Sequence, residues 1–195
     1  MDWLTNEVAP QLRGRGFVQV GLTFRMTTSS HVSFVDVQQS RRSSTTKVVF
    51  TMTLGIWSQR IAEYLDPLTE IPTHIDRCHW TYRLGELLQP PEDRWWTLVG
   101  EPEDGKEGVE LKHLLFERGL PLLAEMSSDS ALRDLWLTGQ GPGLTRFQRL
   151  QYLGVLLREI GPASEISSIM RQLTEHSKGK ANEDYISNFA ARLTE

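Results

Sequence analysis

The ten residues Lys47–Ile56 constrain this chain more than any other stretch. Val48, Phe50, Met52, Leu54 and Ile56 alternate with Val49, Thr51, Thr53 and Gly55, a period of two that gathers the large apolar side chains on one face of a strand. The runs before it, Phe17–Val20, Leu22–Met26 and His31–Gln38, are short and separated by Gly or by Ser and Thr, as strands joined by tight turns are. Connections of this length join antiparallel neighbours, because a parallel crossover needs about a dozen residues or more. The expectation is an antiparallel, meander-type sheet with one buried face. Two more strands are predicted at Trp80–Leu84 and Trp95–Val99.

Helical spacing surrounds these strands. Trp3, Leu4, Val8 and Leu12 predict a short opening helix that stops at Gly14-Arg15-Gly16. Ile61, Tyr64 and Leu65 permit another, broken by Asp66-Pro67 and Ile71-Pro72. Val109, Leu111, Leu114 and Leu115 predict a helix ending at Gly119, with further short helices at Leu120–Met126 and, opened by a Ser/Asp cap, at Ser130–Leu137. Gly139-Gln140-Gly141-Pro142-Gly143 is the strongest breaker in the chain. Beyond it, Phe147 to Ile160, Ile166 to Leu173 and Tyr185 to Leu193 each carry one apolar stripe. The predicted class is α+β: an antiparallel meander-type sheet with helices packed on one face, followed by a three-helix C-terminal segment. The predicted organisation is a sheet domain over 1–137, a linker over 138–143 and a helical segment over 144–195 packed on the same core. The alternative for that segment is a surface for homodimerisation or for docking a protein partner.

Composition narrows the function classes. At 195 residues, with 39% hydrophobic and 24% charged residues, the chain has the profile of one globular domain of ordinary size. No apolar run approaches the roughly 20 residues a membrane helix needs, so no membrane is expected. MDWLTNEVAP lacks the basic and apolar regions of a secretory leader, and a lone Cys78 suits a reducing compartment. The cytoplasm is the expected location. Residues 1–60 carry a net charge of +4, residues 61–126 of −8 and residues 127–195 of 0. The basic first third could attract an anion, but the net charge of −4 and a pI near 5.8 argue against nucleic acid as a partner.

Each chemical motif fails on a specific ground. Gly100-Glu101-Pro102-Glu103-Asp104-Gly105-Lys106 has the spacing of a phosphate-binding loop, but Glu107 stands where a magnesium-ligating hydroxyl belongs and three acids would repel the phosphates. His74-Ile75-Asp76-Arg77-Cys78-His79 crowds four ligand types together without a second cluster to complete a zinc site. Cys78 with His79 makes a poor nucleophile and base, since adjacent strand residues face opposite ways. Glu92 and Asp93 before Trp95-Trp96 have the composition of a sugar site, yet paired tryptophans beside a strand belong to a core. Gly139–Gly143 joins helices and lacks the strand-turn-helix setting of a dinucleotide fingerprint. No catalytic residue, metal ligand or cofactor is therefore assigned. Gln38-Gln39-Ser40-Arg41-Arg42-Ser43-Ser44-Thr45-Thr46-Lys47 concentrates positive charge and hydroxyls in an exposed hairpin loop. With Arg13, Arg15 and Arg25 it could grip a phosphate or an acidic partner.

Gly16-Phe17, Thr23-Phe24, Val37-Gln38-Gln39-Ser40-Arg41, Phe50 with Leu54-Gly55, Trp80, Arg83-Leu84-Gly85-Glu86-Leu87 and Asp93-Arg94-Trp95-Trp96 together resemble the family filed as domain of unknown function 4304. The order and spacing cover roughly residues 1–137, with a departure at Thr53, where the family pattern has an asparagine. The resemblance implies the α+β sheet domain and brings no activity, substrate or site residues. The leading expectation is a non-enzymatic binding or accessory protein that uses the sheet face or the 38–47 loop. The alternative is an enzyme or ligand-binding domain for a phosphorylated or anionic small molecule. Arg25, Gln38, Ser40, Arg41, Arg42 and Arg83 are the candidate ligand contacts.

Overall fold

The spine of the fold is the alternating strand, which extends beyond its apolar run to β4, Lys47–Ser58. A computed structural model describes residues 3–99 and 105–193. β1 (Val18–Val20), β2 (Thr23–Thr27), β3 (His31–Gln39) and β4 follow one another as an antiparallel meander, and β5 (Trp80–Arg83) continues it. β6 (Trp96–Val99) also pairs with β4. β5 lies against Thr53–Ile56 and β6 against Lys47–Phe50, so the two lie end to end along one edge of β4, as a single strand interrupted by residues 84–95. The interruption closes on Gly85: its carbonyl accepts the N–H groups of Leu88 and Glu92, and a Cβ there would collide with the Glu92 carbonyl and the Arg94 backbone.

One face of the sheet carries the main core. Val35 and Val37 of β3, with Phe50, Met52, Leu54 and Ile56 of β4, are buried there beneath Leu12, Leu115, Leu123, Leu132 and Trp136. These come from the helices α1 (Ala9–Arg13) and α4 (Leu120–Glu125), the segment Leu114–Gly119 and α5 (Asp129–Leu137). The helices Arg146–Ile160, Ala163–Ser177 and Glu183–Arg192, α6 to α8, feed Leu150, Leu153, Leu157, Leu173, Ile186 and Phe189 into the same cluster. Their apolar stripes are thus largely consumed inside this chain, which leaves Ile160 and Tyr185 exposed.

The chain departs from expectation at Gly119. The helix α3 (Lys106–His113) does not end there but runs through a wide turn, Leu114–Gly119, into α4, with the Leu120 N–H donating to the Leu115 carbonyl. Pro121 sits in the first turn of α4, where its missing N–H is tolerated. Gly119 serves contact instead of termination: a Cβ would stand 2.8 Å from Leu84 Cδ1 and 3.6 Å from Leu54 Cδ1. No helix among the described residues is long and apolar enough to cross a membrane.

Candidate functional site

The second face of β4 is built differently. Val32, Phe34 and Trp57 form a small separate cluster with Cys78 and with Ala62 of the short helix α2 (Gln59–Leu65) at one end, and Ile75 packs on it. The segment carrying Ile75 and Cys78 can cross there because Gly55 has no side chain: a Cβ would lie 2.8 Å from both Cys78 Sγ and Ile75 Cγ1. Burial, then the carboxylates of Asp76 and Asp36, push the Cys78 thiol well above its ordinary pKa. It is a packing group rather than a nucleophile.

Past this cover the face turns polar. Thr23, Asp36, Thr53 and Arg83 are direct neighbours across β2, β3, β4 and β5, one residue per strand. Thr23 Oγ1 donates to Asp36 Oδ1 at 2.6 Å. Arg83 pairs with Asp93 at 3.0 Å and lies over the Trp95 ring at 5.5 Å, while its Nε and Nη2 are buried without a partner. Strand alternation places Arg25 and Gln38 on this same face, with the Cα atoms of Arg25 and Arg83 about 15 Å apart from strand spacing and rise.

The remaining candidates sit at the end of this face. Gln38 belongs to β3 and not to a loop, since the strand runs to Gln39. Ser40, Arg41 and Arg42 lie in the turn before β4, both arginines exposed. That turn is tied down: the Ser40 N–H donates to the Val49 carbonyl, and Ser43 Oγ donates to the same carbonyl while accepting the Val49 N–H. Val18 and Val20 of β1 and Val99 of β6 are exposed at the two edges. The result is a shallow surface, basic at the turn and at Arg25, with Arg83 balanced by Asp93 and with apolar margins.

Other motifs resolve into structure. Gly100–Asp104 of the phosphate-loop spacing lies outside the described residues, and Glu107 accepts the Thr97 N–H. Glu92 pairs with Arg94 and Asp93 with Arg83, and Trp96 is buried with Nε1 donating to Glu110, so the acids and rings of the sugar-like composition are used internally. Gly143 lies against Thr81 at the outer edge of β5. Among the described residues, no three His, Cys, Asp or Glu side chains come together as a metal site.

A second polar constellation joins residues far apart in the sequence. His31, 5% exposed, begins β3 and places Nε2 2.9 Å from Asp129 Oδ1, in the first turn of α5. Ser58 Oγ donates to the same oxygen at 2.7 Å, and Arg60 Nε to Oδ2 at 2.8 Å. Burial raises the Asp129 pKa, but the hydrogen bonds from His31, Ser58 and Arg60 outweigh it and bring it down to about 2. Ser30 Oγ lies 2.9 Å from the other ring nitrogen, His31 Nδ1. The neighbouring His79 accepts the Ser58 N–H on its Nδ1, and burial holds its pKa down to about 3. Ser29, Ser30, Arg60, Glu63, Tyr64, Asp129 and Glu159 line an open cleft of about 480 Å³ here. The one sequence signal was the Ser/Asp cap of α5, because Asp129 and His31 are 98 positions apart.

An α+β module with one helix-covered and one partly open sheet face is thus defined. Residues 8–125 match the family described as a domain of unknown function (DUF4304), and the chain belongs to that family. No curated protein and no solved structure matches it.

Proposed function

We propose that this chain is a binding protein that holds an acidic segment of a protein partner across the open part of its sheet. The observation that carries the reading is the single-file row Thr23–Asp36–Thr53–Arg83 on a face that ends in the basic turn. On this outer face Val49, Thr51, Gly55 and Trp57 of β4 are buried as well, and the groups that reach solvent are Thr53 in part, the Gln38 amide and the cations around them. Arg25, Arg41, Arg42 and Lys47 supply positive charge there, against Asp36 and Asp93, which already have partners. Complementary charge speeds encounter and sets orientation, and the exposed Val18 and Val20 add apolar contact at the β1 edge. The reading places the protein in the cytoplasm, where a reducing environment keeps Cys78 a thiol.

A second reading, an anionic small molecule on the same face, draws support from the two unpartnered donors of Arg83. Carboxylate and phosphate are the groups that match an arginine fork. The shallow surface and the engagement of Arg83 with Asp93 favour the polypeptide. Fluorescence anisotropy with a labelled ten-residue glutamate peptide tests this. Saturable binding at low salt is expected, weakened at least about tenfold, or about 1.4 kcal/mol, in the triple variant Arg25→Glu, Arg41→Glu, Arg42→Glu. Absence of binding, or equal binding by the variant, would overturn the reading.

A further inference from the structure

The cleft beside His31 lies apart from the open sheet face, and its chemistry is independent of the reading above. Its polar groups form a chain in which each member has a distinct job. Asp129 stays ionised, held by Ser58 Oγ and Arg60 Nε, and an ionised carboxylate only accepts hydrogen bonds. The ring proton of neutral His31 therefore sits on Nε2, facing Asp129 at 2.9 Å. That leaves the lone pair of Nδ1 facing the Ser30 hydroxyl at 2.9 Å. Either imidazole nitrogen can serve as a base, and the partner on the other nitrogen decides which one does. Ser30 is exposed and lines the cleft, whereas His31 is buried behind it. A hydroxyl open to solvent, a base within hydrogen-bond reach and a buried carboxylate that orients the base are the parts of an activated nucleophile.

The same network has a structural use, since Asp129 ties the start of α5 to β3 and β4. That use is met by His31, Ser58 and Arg60, with the Ser30 hydroxyl satisfying the buried Nδ1. Ser30 differs from the other members in being open to the cleft.

We propose that Ser30, His31 and Asp129 act as nucleophile, base and orienting carboxylate in the hydrolysis of small carboxylic esters. Ser30 Oγ attacks the ester carbonyl carbon as its proton passes to His31 Nδ1, and the carbonyl electron pair moves onto oxygen. The pair returns, the bond to the alkoxy group breaks, and the leaving alkoxide takes the proton from Nδ1 and departs as the alcohol. Water then attacks the acyl-Ser30 bond, gives its proton to Nδ1, and releases the carboxylic acid as that proton returns to Ser30 Oγ. The sum is ester and water to acid and alcohol, with no other reactant. Arg60, in the cleft wall, is engaged by Asp129 through Nε and by Glu159 through Nη1 at 3.2 Å, so its part is to hold Asp129 in place. Glu63 and Glu159 in the same wall select neutral or cationic esters over anionic ones.

The test uses the full chain, a fluorophosphonate probe and p-nitrophenyl acetate. The expected result is a single phosphonyl adduct mapped by mass spectrometry to the peptide containing Ser30, together with hydrolysis that falls about a hundredfold or more in Ser30→Ala. Ser30 is exposed, so this variant keeps the wild-type melting curve. Asp129→Asn, checked for folding by circular dichroism, is expected to slow hydrolysis while Ser30 remains present. A folded chain that takes no label on Ser30, fails to hydrolyse the ester, or hydrolyses it at the same rate as Ser30→Ala overturns the proposal.

Discussion

The two faces of β4 are made by alternate residues of one strand, and they differ in kind. Phe50, Met52, Leu54 and Ile56 enter a core shared with every helical layer. Of Thr51, Thr53 and Gly55, one residue away, Thr51 and Gly55 are buried, Gly55 beneath Ile75 and Cys78, while Thr53 is half-buried in the polar row. The first face holds most of the core, and the second combines a small buried cluster with a partly exposed polar stretch. The partly exposed stretch of that second face is where the binding role is proposed, since the helices spend their apolar stripes on the core.

The sharpest way to break this contrast is to truncate neighbours on the two faces. Leu54→Ala removes a fully buried side chain and is expected to cost about 2–5 kcal/mol. Thr53→Ala, measured by the same urea titration, should cost under about 0.5 kcal/mol. Equal costs would mean that the second face is as well packed as the first.

Asp129 joins the core-side helices to the strands, and its effect should be next in size. A carboxylate lowered from 3.8 to about 2 contributes about 2 kcal/mol. Because the folded pKa is the depressed one, that contribution is complete above pH 4 and disappears as pH falls toward 2. Asp129→Asn should therefore lose about this much stability at pH 7 and only a small part of it at pH 2. His79 acts over a higher window. Its folded-state pKa of about 3, set first by burial, means the unfolded chain binds a proton that the folded chain refuses. Stability is thus expected to fall as pH drops from about 6.5 toward 3. Replacement of His79 by Gln should flatten the urea midpoint between pH 7 and 5, and an unchanged slope would remove His79 from the account.

The cover on the second face can be probed at Gly55. Gly55→Ala brings a methyl group against Cys78 Sγ and Ile75, for an overpacking cost of about 1–3 kcal/mol. Cys78→Ala in the same chain should recover part of it. The smallest effect on stability is expected for Arg25→Glu, under about 0.5 kcal/mol, although the same change should weaken binding of an acidic peptide. A large destabilisation would show that Arg25 supports the fold.

The sheet was legible in the sequence because period-two alternation is a local property. Residues 48–56 alone dictated a strand with one apolar face, and the short turns dictated the meander. What local patterns could not carry is pairing between distant segments. Nothing near Trp96 signals that β6 resumes the edge β5 leaves, and nothing near His31 signals Asp129. Gly119 reads as a helix stop because glycine commonly is one. Here its missing side chain admits Leu84, a contact that only tertiary packing determines. The candidate contacts were partly legible for the same reason: Arg25, Gln38 and Arg83 share a face through strand parity, while the unpartnered donors of Arg83 depend on Asp93 and Trp95 folding back.

The central claim is that recognition belongs to the open sheet face. It is tested most directly by recording amide chemical shifts of the isotope-labelled chain during titration with the ten-residue glutamate peptide. The account predicts shifts concentrated at Arg25, Gln38, Thr53, Arg83 and the turn 40–46, reduced by salt. Shifts centred on α6 to α8, or no shifts at low salt, would contradict it.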